Sequence, residues 1–260
     1  MGICWGKMLD ELSDDARAAA AGYRSIQLTV DAIMALSVEQ FGRQKDCLAQ
    51  LNIVPRVCSS PLPPDVQVTE MGFNLYVWTE YLKKACRRLT ELGCDRLVWN
   101  NGRARVLPWE GDIVGVKEQV LQFLYMLCDV AGEHGITVLV EPLGPRRTNF
   151  LNTMAEMRAF LDRVGKENLA SLISLRELSE IHLTLEEFST YADLIRHVHL
   201  ENPAEKTGQR VSPRPDDGID YRPFLSQLSH IGYSGMISLP QDATKQTMEY
   251  CRRLWEEVAR

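Results

Sequence analysis

Gly135-Ile136-Thr137-Val138-Leu139-Val140-Glu141-Pro142-Leu143 and Ile195-Arg196-His197-Val198-His199-Leu200 decide how the rest of the chain is read. Each is a short apolar run that ends on a side chain able to hold a metal or move a proton. A buried parallel strand that delivers a carboxylate or imidazole at its C-terminal end is how a barrel of alternating strands and helices builds an active site. Side chains alternate across a strand, so His197 and His199 share one face and Val198 takes the other.

The same unit recurs on both sides of these runs. Strands are predicted at Gly2–Trp5, Ser25–Thr29, Ile53–Cys58, Asp95–Trp99, Ile136–Glu141, Leu169–Leu175, Ile195–Leu200 and Gly235–Leu239. Between them the apolar spacing is helical over Leu9–Ala21, Ser37–Leu51, Asn74–Leu92, Asp112–His134, Thr153–Val164, Leu185–Ala192, Asp220–Ile231 and Thr244–Ala259. Ser37 with Gln40 and Thr153 with Glu156 have the spacing of capping boxes. Pro55 counts against a ladder position for its strand, unless its missing donor falls where none is needed.

Strand–helix alternation with no linker implies a parallel sheet with right-handed crossovers. A chain of 260 residues matches the roughly 250 typical of a closed (β/α)8 TIM barrel. The expected fold is a single α/β TIM barrel domain over residues 1–260. An open dinucleotide-binding sheet would want G-x-G-x-x-G after the first strand, and none is present, so no nucleotide cofactor is expected.

A net charge of −6 argues against a nucleic-acid partner, which usually meets a basic face. The seven cysteines are scattered and form no C-x-x-C pair, so they read as free thiols in a reducing compartment. The N-terminal residues lack the pattern of a signal peptide, and no apolar stretch reaches the length of a membrane span. The expectation is a cytoplasmic protein with no membrane partner, and a homodimer by the general prior for soluble assemblies.

Barrel chemistry sits on the loops that follow the strands. Glu141 belongs at the mouth, as a functional acid or as a structural one paired with arginine. His199 is a metal ligand or proton carrier, against the alternative of a packed, hydrogen-bonded histidine. Arg103 in Asn100-Asn-Gly-Arg-Ala-Arg105, Arg147 after strand five and Arg210 in the loop to Gly218 converge on one rim. Guanidinium groups there can grip a carboxylate or phosphate, although solvated basic loops look the same.

Glu141-Pro-Leu, Thr148-Asn-Phe-Leu-Asn-Thr153, Arg196-His-Val-His199-Leu, Arg210-Val-x-Pro213, Gly218-x-Asp220-Tyr221 and Ile231-Gly-Tyr-x-Gly235 together resemble the xylose isomerase-like TIM barrels. These include sugar and sugar-phosphate isomerases and epimerases. The resemblance implies a divalent metal (Mn, Mg, Co or Zn) held by Glu, Asp, His and Glu from strands five to eight. Glu141 and His199 match two of these positions. Ser174 stands where the Asp belongs, Glu177 where the His that follows it belongs, and Pro240 where the closing Glu belongs. Arg147 replaces a substrate-contacting Glu, and Gln27 an acid of strand two. Glu177 and Asp242 are the neighbours able to rebuild a metal site.

The resemblance therefore implies an isomerase or epimerase acting by proton transfer next to a carbonyl, with a weakened or lost metal site. Glu141 and His199 are its catalytic pair; Arg147, Arg103, Arg210 and Glu177 contact a small polar substrate such as a sugar, sugar acid or sugar phosphate. The competing expectation is a non-catalytic ligand-binding or subunit-interacting barrel. A DNA-repair endonuclease, also found among such barrels, is disfavoured by the sparse ligands and the acidic charge.

Overall fold

The structure, a computed structural model, describes residues 2–13, 20, 22–204 and 209–259. Eight parallel strands close into a barrel in chain order: β1 (Cys4–Met8), β2 (Ser25–Thr29), β3 (Val54–Ser59), β4 (Arg96–Trp99), β5 (Thr137–Val140), β6 (Leu169–Ser174), β7 (Ile195–His199) and β8 (Met236–Leu239). Around it lie helices α1 (Val30–Met34), α2 (Val38–Gln50), α3 (Leu75–Glu91), α4 (Ile113–Gly132), α5 (Met154–Val164), α6 (Arg222–His230) and α7 (Lys245–Val258). The expected TIM barrel is thus the observed one. No helix among the described residues is long and apolar enough to cross a membrane.

Strand alternation sorts the core. Val57, Val98, Leu139, Leu172 and Met236 fill the barrel interior as one cluster. Their neighbours Cys58, Leu97, Trp99, Val138 and Val140 face the helices instead. Helix α4 answers with Val120, Phe123, Leu124, Leu127, Cys128 and Ala131, a stripe at spacings of three and four. Each large side chain of that stripe contributes about 1.5–3 kcal/mol by leaving water, so Phe123→Asp would unseat the helix. Gly135 at φ +67° lets the chain turn from α4 into β5.

Four local expectations need correction. The first strand runs Cys4–Met8 and not Gly2–Trp5. Lys7 obscured it: its ammonium is buried outside the barrel and donates to the Ala243 carbonyl at 2.7 Å. The segment expected as helix Leu185–Ala192 forms only a 3-10 turn at Glu187–Tyr191. There the short ring Thr184–Glu187, made by side chain and backbone together, favours i→i+3 bonding. At α5, Thr153 caps Glu156 N as expected, but the Glu156 carboxylate accepts from Asn152 N, one residue upstream of the cap. The helix expected over Leu9–Ala21 does not include Leu9–Ser13; most of the remainder lies outside the described residues.

Pro55 is accommodated where β2 and β3 change register. Ser25 pairs with Val54 but Gln27 with Val57, so the ladder skips a residue at the proline. Strand β7 has a similar shift, between its pairings Ser171 to Ile195 and Ile173 to Val198. It falls at Arg196–His197, in the first half of the strand.

Candidate active site

Glu141 follows the last residue of β5 and has the inward parity of Leu139; Ser174 ends β6, His197 and His199 lie on β7, and Ser238 lies on β8. All five are essentially unexposed. The His199 Nδ1 lies 3.1 Å from Glu141 Oε1. The Gln27 amide oxygen sits 3.1 Å from Nε2 of both His197 and His199, with the two rings edge to face at 5.0 Å. Val198 packs on the opposite, helix-facing side, as strand alternation requires.

An amide oxygen only accepts, so both imidazoles carry a proton on Nε2. A neutral His199 then presents a bare Nδ1, which accepts from Arg210 Nη1 at 3.3 Å; a charged one donates Nδ1–H to Glu141. One proton at Nδ1 therefore decides which partner the ring serves. His197 is held neutral, its pKa pushed well down by burial and then by the charges of His199, Arg96 and Arg210.

Arg210 dominates the electrostatics. It arrives on the loop after β7, ion-pairs with Glu201 through Nη1, and reaches Glu141 Oε2 with Nη2 at 3.6 Å. Burial pushes the Glu141 carboxyl up, but Arg210 and His199 outweigh it and leave the pKa at about 2. Beside them Arg147 pairs with Glu177 at 3.3 Å, and Glu177 also accepts from Gly144 N at 3.1 Å. Gly102 permits this rim: a Cβ there would fall 2.6 Å from the Arg147 carbonyl oxygen.

A cavity of about 540 Å3 opens on the β1–β4 side of the mouth. Gln27, Thr29, Ser59, Ser60, Asn100 and Gln241 supply amides and hydroxyls to its wall, and Arg210 is the one cation among its described lining residues. Ser60 holds φ +59° and donates to Asn100 Oδ1 at 3.0 Å. A non-glycine residue in the left-handed region costs about 1–3 kcal/mol and tends to cluster at ligand sites. Glu141 and His199 do not line the cavity; Gln27 and Arg210, which touch them, do.

Of the residues singled out by sequence, Glu141, His199, Arg210, Arg147 and Glu177 come together. Arg103 does not: it is exposed on a 3-10 turn, and Arg105 two residues on is the one that turns inward, donating to the Glu141 carbonyl at 2.6 Å beneath Trp99. Asp242 is taken up by Ser212 N and Oγ at 3.0 and 2.6 Å. Glu201 was missed, although its position two residues after His199 carried the signal. Arg176 was missed too; it donates to the Gln209 carbonyl at 3.0 Å, and burial with the charges of Arg147 and Arg210 lowers its pKa. With Arg210 seated between Glu141, His199 and Glu201, no three His, Cys, Asp or Glu side chains among the described residues are arranged to hold a metal ion.

Fold and mouth together define a strand-end site of the TIM-barrel class. The sequence profile of the xylose isomerase-like TIM barrel matches residues 16–254, and the chain belongs to that family. Among solved structures, D-psicose 3-epimerase from Clostridium cellulolyticum H10 with D-tagatose superposes with TM-score 0.79 at 14% identity, covering 97% of this chain and 99% of that one. An L-ribulose 3-epimerase gives TM-score 0.79 at 16% identity, covering 99% and 96%. An AP endonuclease of family 2 from Brucella melitensis gives 0.73 at 18% identity, covering 96% and 98%. No curated protein sequence matches. At these identities the likeness is one of fold.

Proposed function

We propose that this barrel is a sugar isomerase or epimerase, moving a proton at the carbon next to a carbonyl, with its divalent-metal site lost. The observation that carries the reading is the buried Glu141–His199 contact of 3.1 Å, set against a cavity whose wall carries amides and hydroxyls, the carboxylates of Asp10 and Asp242 and the single cation Arg210 among its described lining residues. Such a wall suits an uncharged keto-sugar better than a phosphorylated one, because a phosphate wants several cations. The sugar 3-epimerases of similar fold support the substrate class.

The donor set does not fit a hard divalent ion, which takes several oxygen ligands. Glu141 and His199 are spent on each other, Ser174 offers a hydroxyl, and Pro240 offers no side-chain donor. In the metal-free reaction Arg210 swings off Glu141 as substrate enters, which restores the carboxylate's basicity. Glu141 then takes the proton, and the guanidinium faces the oxygen on which negative charge develops. His199 holds a second proton for return, and Arg147 with Glu177 shapes the rim.

A second reading, a ligand-binding barrel without catalysis, is favoured by one observation: Arg210 and Gln27 cover the acid–base pair completely. Proton NMR of keto-pentoses and keto-hexoses in D2O separates the two. Loss of the C–H signal beside the carbonyl, abolished by Glu141→Gln, supports catalysis. A sugar that raises the melting temperature without any exchange leaves the binding protein.

A further inference from the structure

Two fully buried carboxylates, Glu141 and Glu201, face one guanidinium across the barrel mouth. Buried carboxylates in such proximity need a cation between them, or one of them takes up a proton. The described geometry gives that place to Arg210: Nη1 pairs with Glu201 and lies 3.3 Å from His199 Nδ1, while Nη2 lies 3.6 Å from Glu141 Oε2. The Oε2 atoms of Glu141 and of Glu201 have no hydrogen-bond partner despite being buried. Two carboxylate oxygens and an imidazole nitrogen thus surround a single positive group.

We propose that Arg210 is the resident cation of the mouth and excludes a divalent ion from it, the two being alternatives for one place between Glu141, His199 and Glu201. The argument rests on the metal loss proposed above but concerns binding and not turnover. Arg210 is the movable partner: it sits on a loop, and a quarter of its side chain is exposed toward the cavity, while the three groups it touches have none. A guanidinium is planar and always charged, so it serves two carboxylates at once without a proton to lose. Of the other acids nearby, Glu177 is engaged by Arg147 and Asp242 by Ser212 and Arg214. Withdrawal of the side chain leaves Glu141 and Glu201 with unsatisfied oxygens and only the charges of Arg147 and Arg176 beside them, and such a pocket takes a cation from solution.

The test uses the purified full-length chain with Co2+, Mn2+ and a chelator. Wild type is expected to carry no stoichiometric metal and to melt at the same temperature in all three. Arg210→Ala melts lower than wild type in chelator, recovers when Co2+ is added, shows the visible absorption of protein-bound Co2+, and binds it at least about tenfold more tightly than wild type. Arg210→Lys, which keeps a charge in place, folds and stays indifferent to the ions. Loss of the Co2+ spectrum on adding Glu201→Gln to Arg210→Ala supports the assignment. Wild type with one bound equivalent of metal overturns it. So does an Arg210→Ala chain that is indifferent to Co2+, whether it folds in both conditions or in neither. None of these readings depends on turnover, so failure here and failure of the deuterium exchange experiment are separate results.

Discussion

His199 Nδ1 and Glu141 Oε1 stand 3.1 Å apart although 58 residues of chain separate them. Neither side chain reaches solvent, and the contact joins the C-terminal ends of β5 and β7 across β6. It is a direct hydrogen-bond contact between a carboxylate and an imidazole. It is also a liability, because a buried polar pair is costly when one member is removed.

Glu141→Gln should therefore destabilise the chain by about 3–5 kcal/mol, the usual effect of breaking a buried pair from one side. Urea unfolding at neutral pH measures it. A loss under about 1 kcal/mol would show that Arg210 and Glu201 re-form a complete network without Glu141.

Acid should weaken the fold in two stages. His197 has a folded pKa below its usual 6.5, so the unfolded chain binds the extra proton first; its contribution is complete above 6.5 and is lost as pH falls below it. Glu141, held at about 2 against 4.5 when unfolded, contributes fully above 4.5 and is lost between there and about 2. That second stage amounts to roughly 3 kcal/mol. Denaturant midpoints followed from pH 8 downward test both, and in His197→Phe the first stage should vanish while the second remains.

Gln27→Leu removes the acceptor shared by two imidazoles. With two buried N–H groups left unsatisfied at about 1–3 kcal/mol each, stability should fall by about 2–6 kcal/mol. Both histidine ring signals should shift together in NMR spectra. A shift confined to one ring would mean that the amide serves only that histidine.

Arginines that look alike in sequence should behave differently. Arg103→Ala, at an exposed side chain, should change stability by no more than about 0.5 kcal/mol and leave sugar-induced melting shifts intact. Arg147→Ala frees the Glu177 carboxylate, and since Arg147 is about a third exposed the cost should stay near 1 kcal/mol. Its clearer signature is a reduced melting shift with ligand. Equal behaviour of the two variants would contradict the placement of the rim.

Thiol chemistry offers a check on packing. Cys58, Cys86, Cys94, Cys128 and Cys251 are buried, and burial pushes the Cys86, Cys128 and Cys251 thiols up to about 12. A disulfide reagent should label the native chain only at Cys4 and Cys47, the two part-exposed positions. Rapid native labelling at any of the other five would show the helix layer to be loose.

What could be read from the chain alone was whatever repeats over a few residues. Alternation placed the eight strands, three- and four-residue spacing placed most helices, and the capping residues Ser37 and Thr153 marked helix starts correctly. The same local logic put Glu141 and His199 at strand ends and both histidines on one face. It failed at Lys7, where burial outside the barrel hides a charge inside a strand, and at Glu187–Tyr191, too short for an α-helical pattern to be decisive.

Partnership across the mouth was a matter for the tertiary structure. Gln27 meets its histidines across 170 and 172 positions, and Arg210 turns back from a loop onto Glu141, 69 positions earlier in the chain. In Arg103-Ala-Arg105 a single 3-10 turn sends one guanidinium outward and buries the other. Backbone propensity acts over neighbours and is written in their order; charge pairing acts through space, and barrel closure alone decides which distant side chains share it.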